Sequence, residues 1–400
     1  MNRSVSAKRK SIAARGVLFV VPAADRNGAT SELLHFLRWF DVNSARPFSV
    51  MFGTGGAFLS EYSNVVETWR ADLSQWCPGS VRSRALKTIG LGEWARAAER
   101  RDVQRFARRC SPAVVYVNSV MVENARLVDL LEMRVPVLMR VHELEWFLHR
   151  QAGSDLPAVL SQATRFIACS HAVSENLIRH HGIAPDRIDT VHGGIPVSEV
   201  EGHRSREEIL RELGLPDDAM LVAASGILYW GKGADLFVQL AREVCRRRPN
   251  AYFAWIGHAS PEQVLQFNHD VHLTGLGGRV CHTGAVARPT DYFAAADAFV
   301  LTSREDSFPL VCLEAAALGK PIVCFADAGG ASEFVEDDCG FVVPYLDVAG
   351  MAERLIFLLD SQECRFRMGA AARRKVMERH DVSVAGPRIA EIIERTITGG

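Results

Sequence analysis

The sequence predicts two α/β domains, each a doubly wound parallel sheet, with residues 1–197 forming the first and 198–380 the second. Three observations carry that expectation. The 400 residues exceed what one ordinary hydrophobic core organises. Short, continuously apolar runs of strand length alternate with helical segments, the pattern of strands buried on both faces by crossover helices. The alternation then restarts after Gly193-Gly194-Ile195-Pro196 and the polar residues 199–205, a stretch that reads as a linker.

In chain order, Gly16-Val-Leu-Phe-Val-Val-Pro22 is the first strand. Residues 23–30 make a polar turn, and residues 31–40 a helix with Leu33, Leu34, Leu37 and Phe40 on its apolar positions. Residues 48–52 give a second strand, so the opening unit is a β-α-β crossover and its strands are parallel. Strands at 113–117, 136–141, 166–169 and 187–191 extend the same sheet. Residues 81–110 are dense in arginine, with Lys87 added, and Trp94, Ala98 and Phe106 trace one apolar stripe. A solvated, salt-bridged helix accounts for that composition. Contact with an anionic membrane surface or a lipid-phosphate acceptor is the sharper alternative. In the second half, strands are expected at 221–225, 252–256, 280–283, 298–301, 321–325 and 341–343, with a helix at 234–246. Sheets of this kind bind ligands beyond their strand C-terminal ends, so two such halves would enclose a cleft there.

The bulk composition is globular, with 48% hydrophobic and 23% charged residues. A formal net charge of -1 hides an asymmetry: residues 1–200 hold 25 basic against 19 acidic residues, and residues 201–400 hold 21 against 28. A basic half beside an acidic one suits a first domain that meets an anionic partner, although uneven solvated surface is the simpler explanation. Nothing points to nucleic acid. The 9 cysteines include no C-x-x-C pair and lie mostly in apolar runs, which reads as buried thiols in a reducing compartment. The apolar run at 16–22 is too short for a signal or a membrane span, so a cytoplasmic protein is expected, with peripheral contact at the inner membrane face open to the basic half.

Residues with chemical potential fall just after strands. Gly28 would let backbone N–H groups approach a phosphate at a helix N-terminus, or is an ordinary turn glycine. There is no G-x-G-x-x-G, which disfavours a dinucleotide site. His142, ending another strand, could hydrogen-bond a substrate hydroxyl or be satisfied internally. In Gly226-Ile-Leu-Tyr-Trp-Gly-Lys-Gly233, Lys232 between two glycines offers a point charge for a diphosphate. A lysine at a helix start runs against the helix dipole, which favours a functional reading over a solvated one. The richest stretch is 302–325, an apolar strand, a polar turn, a short helix with alanines and another apolar strand. Asp306 lies in the turn, where it could be a helix cap. Glu314 sits inside the apolar helix between Leu313 and Ala315, and a carboxylate there could accept hydrogen bonds from the paired hydroxyls of a ribose. Backbone N–H groups from Phe308 through Leu310 to Val311 could hold phosphate.

Asp306 and Glu314, embedded in Ser303-Arg-Glu-Asp-Ser-Phe-Pro-Leu-Val-Cys-Leu-Glu-Ala315, resemble the E-x7-E signature of the family-4 glycosyltransferases, retaining enzymes of GT-B fold. Further similarities fall in order along nearly the whole chain. They are the glycine turn after the first strand, the His142 segment, Cys169-Ser170-His-Ala-Val-Ser-Glu-Asn-Leu177, Val191-His-Gly-Gly-Ile-Pro196, Lys232-Gly233, and Gly329-Gly330 followed by Glu333. The resemblance implies a nucleotide-sugar donor, UDP- or GDP-linked, and a glycan or lipid-linked acceptor in surface polysaccharide or glycoconjugate synthesis. It implies that Glu314 binds the ribose, that Asp306 faces the transferred sugar, and that Lys232, Gly226 and the amides near Leu310 hold the diphosphate. Thr283, in the turn from His282 to Val286, would lie beside the base. His142 and Gly28 would complete the site from the first domain, and the C-terminal helix 384–398 would pack back on that domain. No metal or other cofactor is implied, in keeping with the lack of an Asp-x-Asp motif at a strand end.

The chain departs from the family pattern at three points. Ile227 stands where an arginine often follows the glycine, Gly231 stands where close relatives read Trp-Arg-Lys-Gly, and Asp306 is one methylene shorter than glutamate. Those departures keep a second function class in view, a catalytically weakened sugar-nucleotide-binding or scaffold protein. A GT-B epimerase, a third class, fits the transferase-like motifs less well.

Overall fold

The computed structural model describes residues 15–71 and 92–399. It divides into two compact units. One takes the chain to Ala168, then Asn176–Val191 and the stretch from Gly386; the other takes Cys169–Glu175 and His192–Ala385.

The first unit is built on seven strands: β1 Gly16–Ala23, β2 Phe48–Thr54, β3 Thr68–Arg70, β4 Pro112–Asn118, β5 Val137–Val141, β6 Arg165–Ala168 and β7 Ile188–Thr190. All pair parallel in the order β3-β2-β1-β4-β5-β6-β7. The order reverses between β1 and β4, so the crevice-forming end of β1 leads into the helix Gly28–Asn43. That helix starts on a capping box, in which Asn27 Oδ1 accepts from the Thr30 amide at 3.0 Å and Thr30 Oγ1 accepts from the Asn27 amide at 3.2 Å. Its buried face carries Phe36 and Phe40 onto Phe19 of β1. The three-residue edge strand β3 has no apolar run and escaped the sequence reading; Trp69 in it stacks on Phe106 at 5.3 Å. In the helix Gly92–Cys110, the exposed Arg100, Arg105 and Arg109 pair with Glu132, Asp102 and Glu67, as in a solvated helix. Arg82, Arg84 and Lys87 lie outside the described residues, as do the side chains of Trp94, Arg96 and Ala98. From the C-terminal helix Val382–Thr398, Glu394 accepts from Arg46 Nε at 2.6 Å, Arg395 donates to Asp189 at 2.6 Å, and Gly386 lies against the Trp39 ring.

The second unit holds β8 Met220–Ser225, β9 Ala251–Ile256, β10 Val280–His282, β11 Ala298–Leu301, β12 Ile322–Phe325 and β13 Gly340–Val343. These are again all parallel, in the order β10-β9-β8-β11-β12-β13. The switch now lies between β8 and β11, so the loops leaving those two strands are neighbours. The helix Ala234–Arg247 covers β8 and β9 with Phe237, Leu240, Ala241 and Val244, all fully buried, while its last turn ends in Arg246 and Arg247. Predicted and observed strands differ by a residue or two at their ends, as terminal assignments do. Among the described residues the eight cysteines form no disulfide, six of them being buried, and no helix is long and apolar enough to cross a membrane.

Candidate functional site

The switch point of the second unit brings two loops together through backbone bonds. The loop 226–233 leaves β8, and the turn 302–309 leaves β11. Arg304 N donates to Gly231 O at 2.8 Å, and Thr302 Oγ1 donates to Gly233 O at 2.9 Å. Gly233 has φ +69°, and a Cβ there would stand 1.9 Å from Thr302 O, so only glycine permits this approach. The turn is anchored on its other side as well, where Asp306 N donates to Ala328 O at 2.7 Å. Lys232 and Asp306 are thus fixed as neighbours before any side chain is considered.

Their side chains meet. Lys232 Nζ donates to Asp306 Oδ2 at 2.5 Å, and Ser303 Oγ donates to the same oxygen at 3.2 Å. Burial works against the lysine's charge, but the Asp306 carboxylate and then Tyr229 outweigh it and leave its pKa above the ordinary value. Asp306 is therefore no helix cap. Pro309 occupies the cap position of the helix Leu310–Ala317 and makes no side-chain hydrogen bond there.

Glu314 lies in that helix, half-buried, and among the described residues no hydrogen bond or ion pair reaches its carboxylate. Burial alone pushes its pKa up to about 7. Cys312 ties the group together: its thiol is held well above its usual pKa by burial, then by Cys324, and feels the charges of Asp306, Lys232 and Glu314. Of the amides opening the helix, Leu310 and Val311 precede any possible intrahelical acceptor, and Cys312 N already donates to Pro309 O at 3.1 Å. Within 308–311, Pro309 supplies no N–H. The Phe308 ring itself is buried, 5.0 Å from His192 and 5.3 Å from His380, so only its backbone is available to a ligand.

Gly226 and Thr283 belong to a second set of stitched loops. Trp255 Nε1 donates to Gly226 O at 2.9 Å, Gly226 N donates to Ile256 O at 3.0 Å, and Gly257 N donates to Gly284 O at 3.1 Å. Gly257, which sequence reasoning missed, has φ +151°, and a Cβ on it would lie 2.1 Å from Gly226 O. Thr283 N donates to Trp255 O at 3.0 Å and its hydroxyl to Gly284 O at 3.0 Å. The three adjacent strand ends are so held flush.

The position taken by Gly231 has a local explanation. A Cβ there would stand 2.6 Å from Cε2 of Tyr229, whose ring fills the space a side chain would need. Ile227 is 48% exposed and Trp230 53%, so neither is held by the core. Arg304 is a guanidinium that touches this loop, donating to Trp230 O at 3.0 Å. It stacks on Trp230 at 5.0 Å and forks onto Asp235 through two 2.8 Å bonds, which commits it to structure.

His142 and Gly28 belong to the first unit. His142 Nε2 meets Asn118 Oδ1 at 3.1 Å, and Asn118 Nδ2 donates to Ala29 O at 3.2 Å. That orientation of the amide puts the imidazole proton on Nε2. Burial, followed by the charge of Arg140, lowers the pKa of His142 well below the histidine range, so the ring is neutral. Its Nδ1 lies 3.7 Å from Glu32 Oε2, and Glu32 pairs with the buried Arg140. Gly28 is exposed at the start of its helix, and a Cβ there would meet nothing within 4 Å. The fold itself therefore makes no demand for glycine at that point.

Two family models match the chain in succession: Glycosyltransferase Family 4 over residues 78–199 and Glycosyl transferases group 1 over residues 205–375. A D-inositol 3-phosphate glycosyltransferase of Paenarthrobacter aurescens is 30% identical over 220 residues, which is 54% of this chain and 53% of that protein. Another, from Catenulispora acidiphila, is 28% identical over 249 residues, 56% of this chain and 59% of that one. The chain thus spans about half the length of the curated relatives it matches. Among solved structures, Anabaena HepE in complex with UDP and glucose superposes with a TM-score of 0.77 at 20% identity, covering 95% of this chain and 99% of that one. Sucrose-phosphate synthase from Thermosynechococcus elongatus gives 0.74 at 16% identity, covering 96% and 100%. These likenesses show the fold, two Rossmann-like domains of the GT-B class.

Proposed function

The chain belongs to the family-4, group 1 glycosyltransferases of GT-B fold, and on that premise we propose that it moves a sugar from a nucleotide-sugar donor to a glycan or lipid-linked acceptor. The observation that carries this reading is Glu314, a carboxylate with no partner among the described residues, in the helix Leu310–Ala317, whose Cys312 thiol feels the charges of Glu314, Lys232 and Asp306. No described residue bonds it. A ribose diol donating two hydrogen bonds supplies what that carboxylate lacks, and a diphosphate fits the adjoining amides and cation.

In this mechanism Lys232 exchanges Asp306 for the donor's phosphates, and the amides of Leu310 and Val311 take the remaining charge. Asp306, released from the lysine, is free to accept from hydroxyls of the transferred sugar. The glycosidic C1–O bond breaks with its electron pair going to the diphosphate. The acceptor oxygen bonds C1 on the same face, and its proton passes to the departing phosphate oxygen, so the anomeric configuration is retained. Lys232 and the helix amides stabilise the leaving group, which makes a metal unnecessary for the step. His142, neutral and with its Nε2 proton held by Asn118 Oδ1, stays within the first unit's own hydrogen-bond network. UDP is favoured over GDP by the HepE structures, which contain UDP and UDP-glucose. The excess of basic residues in the first 200 supports an anionic, lipid-linked acceptor met at the cytoplasmic membrane face in surface polysaccharide synthesis.

A non-catalytic sugar-nucleotide-binding role is the second reading, favoured by the lysine's existing partner and by Ile227 and Gly231 in its loop. Release of nucleoside diphosphate from UDP-, GDP- and ADP-sugars, with and without lipid-linked acceptors, separates the two. Turnover of one donor, with retained anomeric configuration by NMR, is the expected result. Donor binding with no release under any condition would leave only the second reading.

A further inference from the structure

Three sequence motifs that the donor site does not absorb converge in the second unit. They are the Ser170-His171 start of the helix His171–His181, His192 at the end of Val191-His-Gly-Gly, and Glu333 after Gly329-Gly330. Glu333 Oε2 accepts from the His171 amide at 2.9 Å, and Oε1 from the Ala172 amide at 2.8 Å. His192 Nε2 lies 2.6 Å from Glu333 Oε2. Gly330 makes the convergence possible, since a Cβ on it would stand 2.4 Å from Ser307 O and 2.8 Å from Ser170 Cβ. Capping explains the carboxylate but neither imidazole, because the amide of residue 171 donates whatever side chain it carries.

We propose that His171, His192 and Glu333 bind one transition-metal dication of the zinc class, at a site distinct from the donor site. One ligand atom from each residue lies within 4.8 Å of the other two. Ligands at zinc's bond lengths in tetrahedral array stand about 3.4 Å apart. The close His192–Glu333 pair therefore opens slightly and the wider separations contract, which the exposed His171 side chain accomplishes by rotation. Two imidazoles and a carboxylate are borderline ligands that suit zinc, cobalt or nickel over magnesium or calcium, and solvent completes the coordination. The proton now on the line between His192 Nε2 and Glu333 Oε2 leaves it, so the ion takes a proton's place. The second shell already exists: the two amides orient Glu333, and His192 packs at 5.0 Å from Phe308 and 5.6 Å from His380. Because Phe308 lies just before Pro309, the cap of the helix carrying Glu314, an ion here would brace the turn that opens it. This inference stands whether or not the chain transfers sugar.

The test is a competition titration of chelator-stripped, full-length protein with Zn2+ against a chromophoric chelator, repeated with Co2+ to read ligand-field absorption. One equivalent per chain is expected, with Co2+ bands of four- or five-coordinate intensity. His171→Ala, a substitution at an exposed side chain, is expected to weaken uptake at least about tenfold, since even second-shell partners contribute about that much. His149→Ala, which removes an imidazole from Glu145 in the first unit, is expected to change nothing. Less than stoichiometric uptake, unchanged uptake in His171→Ala, or equal weakening in both variants would overturn the proposal.

Discussion

The two units differ in how they treat one carboxylate near the C-terminal edge of the sheet. In the first, Glu32, Arg140, His142 and Glu143 all have partners within the unit. Arg140 pairs with Glu32 and donates to Val191 O at 3.1 Å, and the neutral His142 is bonded to Asn118. Glu143 is raised by burial, yet accepts from the Ser119 hydroxyl and from the amides of His142 at 2.9 Å and Val120 at 3.2 Å. In the second unit, Glu314 is half-buried and has no partner among the described residues, and burial pushes its pKa up to about 7. Buried charge by itself is compatible with pure architecture. A buried carboxylate left unanswered costs stability without serving the fold, and that is what marks a ligand site.

The comparison can be broken from either side. The largest effect is expected in the first unit: Arg140→Ala leaves Glu32 buried without its cation and should cost about 3–5 kcal/mol in denaturant unfolding. Glu314→Gln should cost nothing, or stabilise the free chain. Were Glu314→Gln the more destabilising of the two, the contrast between the units would be wrong. In catalysis the order reverses. Lys232→Ala and Glu314→Ala should each lower transfer by about 10²–10³-fold, the scale of losing one preorganised electrostatic group, with folding intact. Gly233→Ala comes next, expected to lose at least about 2 kcal/mol because its Cβ would collide with Thr302 O in a left-handed backbone.

The smallest effect is in pH. The folded chain holds the Glu314 proton up to about 7, whereas a free glutamate loses it near 4.5. The folded state thus binds the extra proton between those values, so this group's contribution to stability declines as pH rises from 4.5 to 7. A ribose diol favours the ionised form, so donor binding near pH 6 should release a proton, seen as different calorimetric heats in buffers of different ionisation enthalpy. The same experiment on Glu314→Gln should show none.

Much of this was legible in the sequence. The parallel sheets came from apolar runs such as 16–22 and 298–301, because strands covered on both faces need no alternation. Edge strand β3 carries no such run and was invisible. Glu314 stood out because it interrupts an apolar helix between Leu313 and Ala315. The pairing of Lys232 with Asp306 was not legible, since 74 residues separate them and backbone bonds from Thr302 and Arg304 set their contact. Nor was the filling of Gly231's vacancy by Tyr229, which only the local chain path creates. Gly257 gave no signal of its own; its role comes from how closely the next strand end passes. The sequence left the state of His142 open between substrate contact and internal satisfaction, and the Asn118 bond was beyond its reach.

The central claim is that the Lys232–Asp306–Glu314 group in the second unit exists to hold a nucleotide sugar. Its most direct test is a thermal-shift series with UDP-, GDP- and ADP-sugars on the natural chain, Lys232→Ala and Glu314→Gln. A ligand that binds only the folded state raises the midpoint in proportion to its occupancy. At least one donor should stabilise the natural chain, and that shift should be largely lost in both variants. No shift with any donor, or a shift kept in full by both variants, would contradict it.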